Sequence, residues 1–239
     1  MVALGNFFFR FRTTLSPFLL LFLFVPGPAL FADPFVAAVL GLLVAACGQC
    51  VRATTIGLRY IVRGGRGHRV YADDLVTEGL FQHSRNPLYV GKFFMVLGAG
   101  VASNSWYALV GICAAYLFMY HSIILAEEEY LRGKFGAAFD DYCRLVPRWW
   151  PRLAGLGRTL AESDFHWARV FVKEYSAPLG WVLPVVGFGL YNMKQTGELA
   201  DQPLRTGVLL AVLGATMLFW LTAGYLKKTR SPVFRTTDG

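Results

Sequence analysis

Six stretches of the chain are apolar over the length that a hydrocarbon layer demands, and they limit the fold more than any motif does. A helix crossing the layer needs about 20 mainly apolar residues. The stretches run from about Thr14 to Phe31, Pro34 to Tyr60, Pro87 to Ser103, Trp106 to Leu125, Ser176 to Met193 and Thr206 to Leu226. They predict an all-α integral membrane protein of about six spans. Asn104-Ser105 alone separates the third from the fourth, which predicts a tight helical hairpin.

Composition agrees. Of the 239 residues 55% are hydrophobic and 16% charged, against about 25% charged in ordinary globular domains. The imbalance argues against a soluble enzyme, and a disordered chain, a collagen-like fibre and a small disulfide scaffold are excluded. The formal charge of +8 invites nucleic acid as a partner, so the placement of the 23 Lys and Arg decides. All but Lys92, Lys194 and Arg205 fall at one set of block ends, which predicts a multi-pass protein with both termini cytoplasmic. The partner implied is an anionic lipid leaflet, with no nucleic acid. Arg10 and Arg12 before the first block resemble the start of a cleaved leader, but no small-x-small site follows, so a retained span is expected.

The chain then divides into residues 1–62, the first two spans; 63–151, a core of cytoplasmic loop, hairpin and acidic helix; 152–175, an interfacial amphipathic helix; and 176–239, the last two spans with a basic tail. Hydrophilic material is concentrated at about 60–86 and 126–175, so the chemistry is expected there, at the cytoplasmic face. Glu127-Glu128-Glu129 leave the fourth block as adjacent carboxylates that repel one another; an intrahelical pair with Arg132 at i+4 offers about 0.2–0.5 kcal/mol. Pro87 can open a helix and forces Asn86 out of the helical conformation, turning its amide towards a cavity. Gly91, one turn on, permits close approach.

Leu75-Val76-Thr77-Glu78-Gly79-Leu80, Arg85-Asn86-Pro87-x-Tyr89-x-Gly91, Glu127-Glu128-x-x-Leu131, Phe135-Gly136, Tyr142 and Val146-Pro147-Arg148 occur in this order. Together they resemble the isoprenylcysteine carboxyl methyltransferase and bacterial phospholipid methyltransferase superfamily, over about residues 75–151. The resemblance implies a methyltransferase that uses S-adenosyl-L-methionine in a cytoplasmic pocket, built from the loop before the third span and the helix after the fourth, with a lipophilic small-molecule acceptor. Gly79, Leu80, Arg85, Asn86, Pro87, Tyr89 and Gly91 would form one wall around the cofactor, with His83 beside them, and Glu127, Glu128, Leu131 and Tyr142 another. Glu128 and Arg148 are the implied catalytic residues. Where the prenylcysteine enzymes have Arg-His-Pro, this chain has Arg85-Asn86-Pro87. Asn cannot titrate near neutral pH, so Asn86 is expected to orient the cofactor, and the resemblance supports methyl transfer better than prenylcysteine as acceptor.

The residue types suit that chemistry. The sulfonium and amino group of the cofactor need carboxylate or carbonyl oxygens, which Glu127 or Glu128 supplies, and its carboxylate needs donors such as Arg85 or Arg148. An ionised carboxylate acceptor would be placed by Arg148; an amine acceptor would lose a proton to Glu128. A phospholipid or amine N-methyltransferase is thus one alternative, and a nicotinamide-dependent sterol-type reductase, whose Pro-x-Tyr-x-Gly region is similar, is another. Cys47-Gly48-Gln49-Cys50 lies within an apolar block and is expected to pack; the histidines lack ligand spacing, so no metal is expected. Lys92 either snorkels to the surface or faces a carboxylate in the pocket. Gly64 to Gly67 reads as a turn.

Overall fold

A computed structural model describes residues 1–59 and 71–229, and among them every regular element is a helix. The Gly64–Gly67 turn lies outside the described residues. Helix α1, Val2–Phe18, tightens after Pro17 into a 3-10 stretch, Leu19–Phe24. It starts well before Thr14: Phe7, Phe8, Phe9 and Phe11 carry the apolar surface upstream, so Arg10 and Arg12 lie inside the helix and do not flank it. Pro26-Gly27-Pro28 leave the chain irregular up to α2, Pro34–Leu58. Asp33 caps α2, accepting from the amides of Phe35 and Val36 at 2.8 and 3.3 Å.

Small residues set the bundle's closest contact. Helix α3, Pro87–Ala102, lies against α2 so tightly that a Cβ at Gly41 would come within 2.6 Å of the Gly98 carbonyl, and one at Gly91 within 2.7 Å of the Gly48 carbonyl. Such close approach substitutes van der Waals packing for the hydrophobic drive that lipid does not provide. The expected hairpin follows, with Asn104 at φ 53° and Ser105 capping α4 at the Ala108 amide. Asn104 also pins the preceding segment, accepting from the amides of Leu30 and Phe31 at 3.1 and 2.9 Å.

Helix α4, Trp106–Phe135, runs 30 residues, so the glutamates sit in its final turns and do not begin a separate helix. Gly136, at φ 55°, turns the chain into α5, Ala137–Leu145. The single interfacial helix expected at 152–175 is two, α6 (Leu156–Glu162) and α7 (Trp167–Glu174). The break has a cause: Phe165 packs on Gly57, and the His166 amide donates to the Gly57 carbonyl at 2.9 Å. Helices α8 (Ala177–Gln195), α9 (Glu198–Asp201) and α10 (Pro203–Lys228) complete the described chain.

Among the described residues four segments are long and apolar enough to cross a membrane: Val2–Phe24, Pro34–Leu58, Trp106–Phe135 and Pro203–Lys228. Helices α3 and α8, the other two expected spans, pack among them: Ala99, Ala102, Val185 and Phe188 share one buried cluster with Leu23, Ala45 and Ile112. Asn192 of α8 donates to the carbonyls of Ala102 and Ser103, and Arg205 pairs with Asp33 at 2.9 Å, so these groups gather at the Asn104 end of the bundle. The glutamates lie at the other end. Leu218, Trp220 and Leu221 on α10 and Leu43 on α2 face outward, as a lipid-bathed bundle requires. Cys47 and Cys50 share that outward face of α2 as free thiols.

Candidate functional site

A cavity of about 630 Å³ opens at the glutamate end. Two chain reversals build it. Pro87 starts α3 and holds Asn86 at φ −130°, ψ 51°, while Gly136 folds α5 back beside α4. The segment 71–76 forms a third side, and α1 and α3 add Phe9, Arg12 and Lys92 to the lining.

Glu128 is the electrostatic centre. It is buried, and Arg148 grips it with two hydrogen bonds, Nε to Oε1 at 2.9 Å and Nη2 to Oε2 at 2.7 Å. Arg85 adds a contact at 3.0 Å to Oε1. The i+4 pair with Arg132 does not form: Arg132 turns to Asp140 at 2.9 Å and to Glu129 at 3.7 Å. Arg85 and Arg148, 11% and 34% exposed, give Glu128 two cations in place of one that is 45% exposed, so the acidic run is resolved across the fold and not along the helix. The Glu128 pairing holds the Arg148 guanidinium above its ordinary pKa.

Main-chain bonds lock the two arginine segments together. The Arg85 amide donates to the Pro147 carbonyl at 2.9 Å, the Asn86 side-chain amide to the Arg148 carbonyl at 3.0 Å, and Ser84 Oγ to the Trp149 carbonyl at 2.9 Å. Arg85 Nη1 donates to the Cys143 carbonyl at 3.0 Å, yet its Nε is buried with no hydrogen-bond partner among the described residues. Glu127 also lines the cavity. Tyr89 donates to its Oε1 at 2.8 Å, and its second oxygen makes no hydrogen bond among the described residues. Burial pushes the Tyr142 phenol above its ordinary pKa, and its hydroxyl donates to the Phe81 carbonyl at 2.7 Å.

Of the sequence-predicted residues, Arg85, Asn86, Pro87, Tyr89, Glu127, Glu128, Leu131 and Tyr142 share this cavity wall. Arg148 stands behind Glu128. Gly79, at φ 62°, packs against Leu58 at the end of α2, within the 3-10 turn Gly79–Gln82 that also holds Leu80. Gly91 faces α2, its Cβ position 2.6 Å from Arg52 Cγ. His83 is turned away from the cavity: Nδ1 lies 2.6 Å from the Arg152 carbonyl and Nε2 2.9 Å from Thr159 Oγ1. It ties α6 to the loop. Sequence reasoning missed Arg52, a cavity residue that donates to both oxygens of the buried Glu174 at 2.8 and 2.9 Å. Nothing local joins residues so far apart in the chain.

Fold and site together define an all-helical protein of membrane-spanning helices with a charged cavity at one end. Residues 36–138 match the model of the phospholipid methyltransferase family. The match extends upstream of the motifs into α2 and stops before Tyr142 and Arg148. Among curated relatives, the nickel-cobalt-cadmium resistance protein NccN of Alcaligenes xylosoxydans xylosoxydans is 36% identical over 34% of this chain and 38% of its own. The cobalt-zinc-cadmium resistance protein CzcN of Cupriavidus metallidurans is 34% identical over 34% of this chain and 37% of its own. A protein-S-isoprenylcysteine O-methyltransferase of Schizosaccharomyces pombe is 30% identical over 30% of this chain and 31% of its own. The matched part therefore spans about a third of each relative's length. No solved structure gives a significant match. The resemblance to the isoprenylcysteine and phospholipid methyltransferase superfamily is thus shown for the central part of the chain.

Proposed function

We propose that this protein is an integral-membrane methyltransferase that uses S-adenosyl-L-methionine to methylate a lipophilic acceptor at the cytoplasmic face. The observation that carries this is Arg85, whose Nε–H is buried and unpartnered among the described residues, in the wall of a cavity that also presents the Glu127 carboxylate. A cofactor with a carboxylate at one point and two cationic groups beside it needs that pairing of donor and acceptor. The volume, about 630 Å³, falls inside the roughly 300–1,000 Å³ of small-molecule sites. The cofactor supplies an activated methyl group on a sulfonium sulfur.

The protein's part is binding and alignment. Arg85 and the Asn86 segment hold the carboxylate end, Glu127 and nearby oxygens the cationic end, and Leu131 packs the adenosine side. Glu128, with both oxygens committed to arginines, positions Arg85 and Arg148 in preference to contacting the cofactor itself. Holding donor and acceptor in line is what methyl transfer demands, so no covalent nucleophile is required. The chain divides into residues 1–62, 63–151 as the methyltransferase core, 152–175 with two short helices in place of one, and 176–239.

An amine acceptor is the second reading, favoured by Glu127: the residue lines the cavity with one oxygen uncommitted among the described residues, a suitable base for an ammonium group. Among the described residues no group of three His, Cys, Asp or Glu is arranged to hold a metal ion. Incubating purified protein with methyl-labelled S-adenosyl-L-methionine and a membrane lipid extract should label a lipid-soluble species, identified by mass. Label that stays wholly in the donor across a range of extracts would refute the proposal.

A further inference from the structure

Arg52 reaches the cavity from within an apolar helix, and Gly91 lets it pass. Its Cγ lies 2.6 Å from where a Cβ at Gly91 would stand, so a larger residue there would block the side chain. Beyond that point Nη1 donates to the Leu88 carbonyl at 3.4 Å, and Arg52 joins Pro87, Leu88 and Tyr89 in the lining. Gly91 is not itself in the lining; its part is to clear the path of Arg52.

A cation inside an apolar span needs a cavity or a counter-charge, because lipid solvates it poorly. Arg52 has both. Glu174, the last residue of α7, accepts from Nε at 2.9 Å and from Nη2 at 2.8 Å, in a pair whose side chains are 15% and 4% exposed. The packing of Phe165 on Gly57 holds the start of α7 against the end of α2. Gln49, a turn before Arg52, donates to Glu174 Oε2 at 3.4 Å and accepts from Trp181 Nε1 of α8 at 3.2 Å. Helices α7 and α8 lie beyond the matched residues 36–138, yet they fix a side chain in the cavity of the matched part.

A guanidinium carries five N–H groups. Three are used by Glu174 and Leu88; among the described residues the other two, one on each Nη, have no partner. Glu174 compensates the charge, so these are directional donors with little pull on an anion, and an uncharged oxygen suits them.

We propose that Arg52 is a further binding residue of the cavity, that Glu174 is the residue that positions it, and that the group Arg52 meets is a ribose hydroxyl of the methyl donor. This rests on the S-adenosyl-L-methionine reading above. There Arg85 takes the donor's carboxylate, which leaves the ribose hydroxyls as its uncharged partners for a donor beside Pro87 and Tyr89.

The test reads binding and stability on full-length protein in maltoside micelles, with no turnover required. By calorimetry, the unmodified protein should bind the 2′-deoxy or the 3′-deoxy analogue of S-adenosylhomocysteine about tenfold more weakly than S-adenosylhomocysteine itself, the worth of one ordinary hydrogen bond. In Arg52→Gln and in Glu174→Gln, S-adenosylhomocysteine should weaken by about the same factor and its advantage over that analogue should vanish. The exchange Arg52→Glu with Glu174→Arg keeps an ion pair but removes the guanidinium from the cavity wall. The unfolding midpoint should then return towards the unmodified value while affinity stays low. Return of both would mean that the pair only ties α7 to α2, and would overturn the proposal. So would unchanged affinity in Arg52→Gln, or equal binding of all three ligands by the unmodified protein, a comparison that stands even where a variant fails to fold. A protein that ignores S-adenosylhomocysteine altogether would sink the donor reading itself, whereas binding indifferent to Arg52 sinks this inference alone.

Discussion

Arg148 closes a two-pronged contact on Glu128 across 20 residues of chain, with bonds of 2.9 and 2.7 Å, and Arg85 reaches the same carboxylate from the start of α3 at 3.0 Å. One buried anion thus joins the end of α4, the turn after α5 and the loop before α3. The position of Arg85 in the cavity depends on a residue that is itself saturated.

Glu128→Gln should therefore do more than weaken one contact. It leaves two guanidiniums without a counter-charge, and breaking a buried pair costs about 3–5 kcal/mol; Arg148 is a third exposed, which places the loss at the lower end. Arg148→Lys keeps the charge but exchanges a planar fork for a point, with a loss of about 1–2 kcal/mol and a larger fall in turnover than in cofactor affinity. Thermal unfolding and S-adenosylhomocysteine titration of both, beside exposed controls at Arg158 and Glu162, check this ordering. Equal, small effects at all four positions would mean the triad only decorates a membrane border.

The α2–α3 contact predicts opposite signs for one kind of substitution. At Gly41→Ala the new methyl meets the Gly98 carbonyl at 2.6 Å and Ala102 Cβ at 2.8 Å, so the helices must part, at a cost of about 1–3 kcal/mol. At Gly214→Ala on α10 nothing among the described residues lies within 4 Å, and the lost chain flexibility should make the change neutral or stabilising by up to about 1 kcal/mol. Unfolding midpoints of the two variants give the comparison directly.

Asp33 gives a pH signature at the other end of the bundle. Desolvation raises its pKa, but the Val36 and Phe35 amides and the Arg205 guanidinium outweigh that and hold the carboxyl below its ordinary value. A carboxylate depressed on folding adds stability above the unfolded value, about pH 3.9, and loses it as pH falls through the folded one. Asp33→Asn keeps most of the cap but should flatten that acid limb, measured as the unfolding midpoint from pH 6 down to pH 3. Asp33→Ala should cost about 1 kcal/mol at neutral pH as well.

Much of this was legible in the sequence, and the misses share a cause. The hairpin at Asn104-Ser105, the Pro87 start and the Pro34 start of α2 are short-range effects, and the structure has each of them. Arg85, Asn86, Pro87, Tyr89, Glu127, Glu128, Leu131 and Tyr142 line one cavity, while Gly79, Leu80, Gly91 and Arg148 do not. Pairing across the fold was not legible: Arg132 stands at i+4 to Glu128 and loses to Arg85 and Arg148, which only tertiary structure brings near. His83 illustrates the reverse, a neighbour of Arg85 in sequence whose ring faces Thr159. The early start of α1 was hidden by Arg10 and Arg12, charges that usually end an apolar run and here lie within a helix.

Charge placement predicts that Gly197, between α8 and α9, lies outside the cell and Gly157, on α6, inside. Gly197→Cys in a background lacking the four native cysteines should react with an impermeant maleimide in intact cells, and Gly157→Cys only after permeabilisation. The reverse pattern would invert the bundle and place the cavity on the outer face.

Ligand response separates the methyltransferase from the reductase alternative. A ligand that binds only the native state stabilises it by RT ln(1 + [L]/Kd), about 2.7 kcal/mol at a hundredfold excess over Kd. Arg85, its Nε unpartnered among the described residues, and Glu127 in the same cavity wall suit a ligand carrying one carboxylate and cationic groups. The pyrophosphate of a nicotinamide cofactor would instead bring a second large anion towards Glu127 and the carboxylates of Asp73 and Asp74, which line the same wall. S-adenosyl-L-methionine and S-adenosylhomocysteine should therefore raise the unfolding temperature while NADPH leaves it unchanged, and Arg85→Gln should abolish the rise. S-adenosylhomocysteine is the sharper probe, since it cannot react. A rise with NADPH alone would transfer the cavity to hydride chemistry. A rise with S-adenosylhomocysteine that survives in Arg85→Gln would keep methyl transfer and assign the carboxylate of the ligand to another donor.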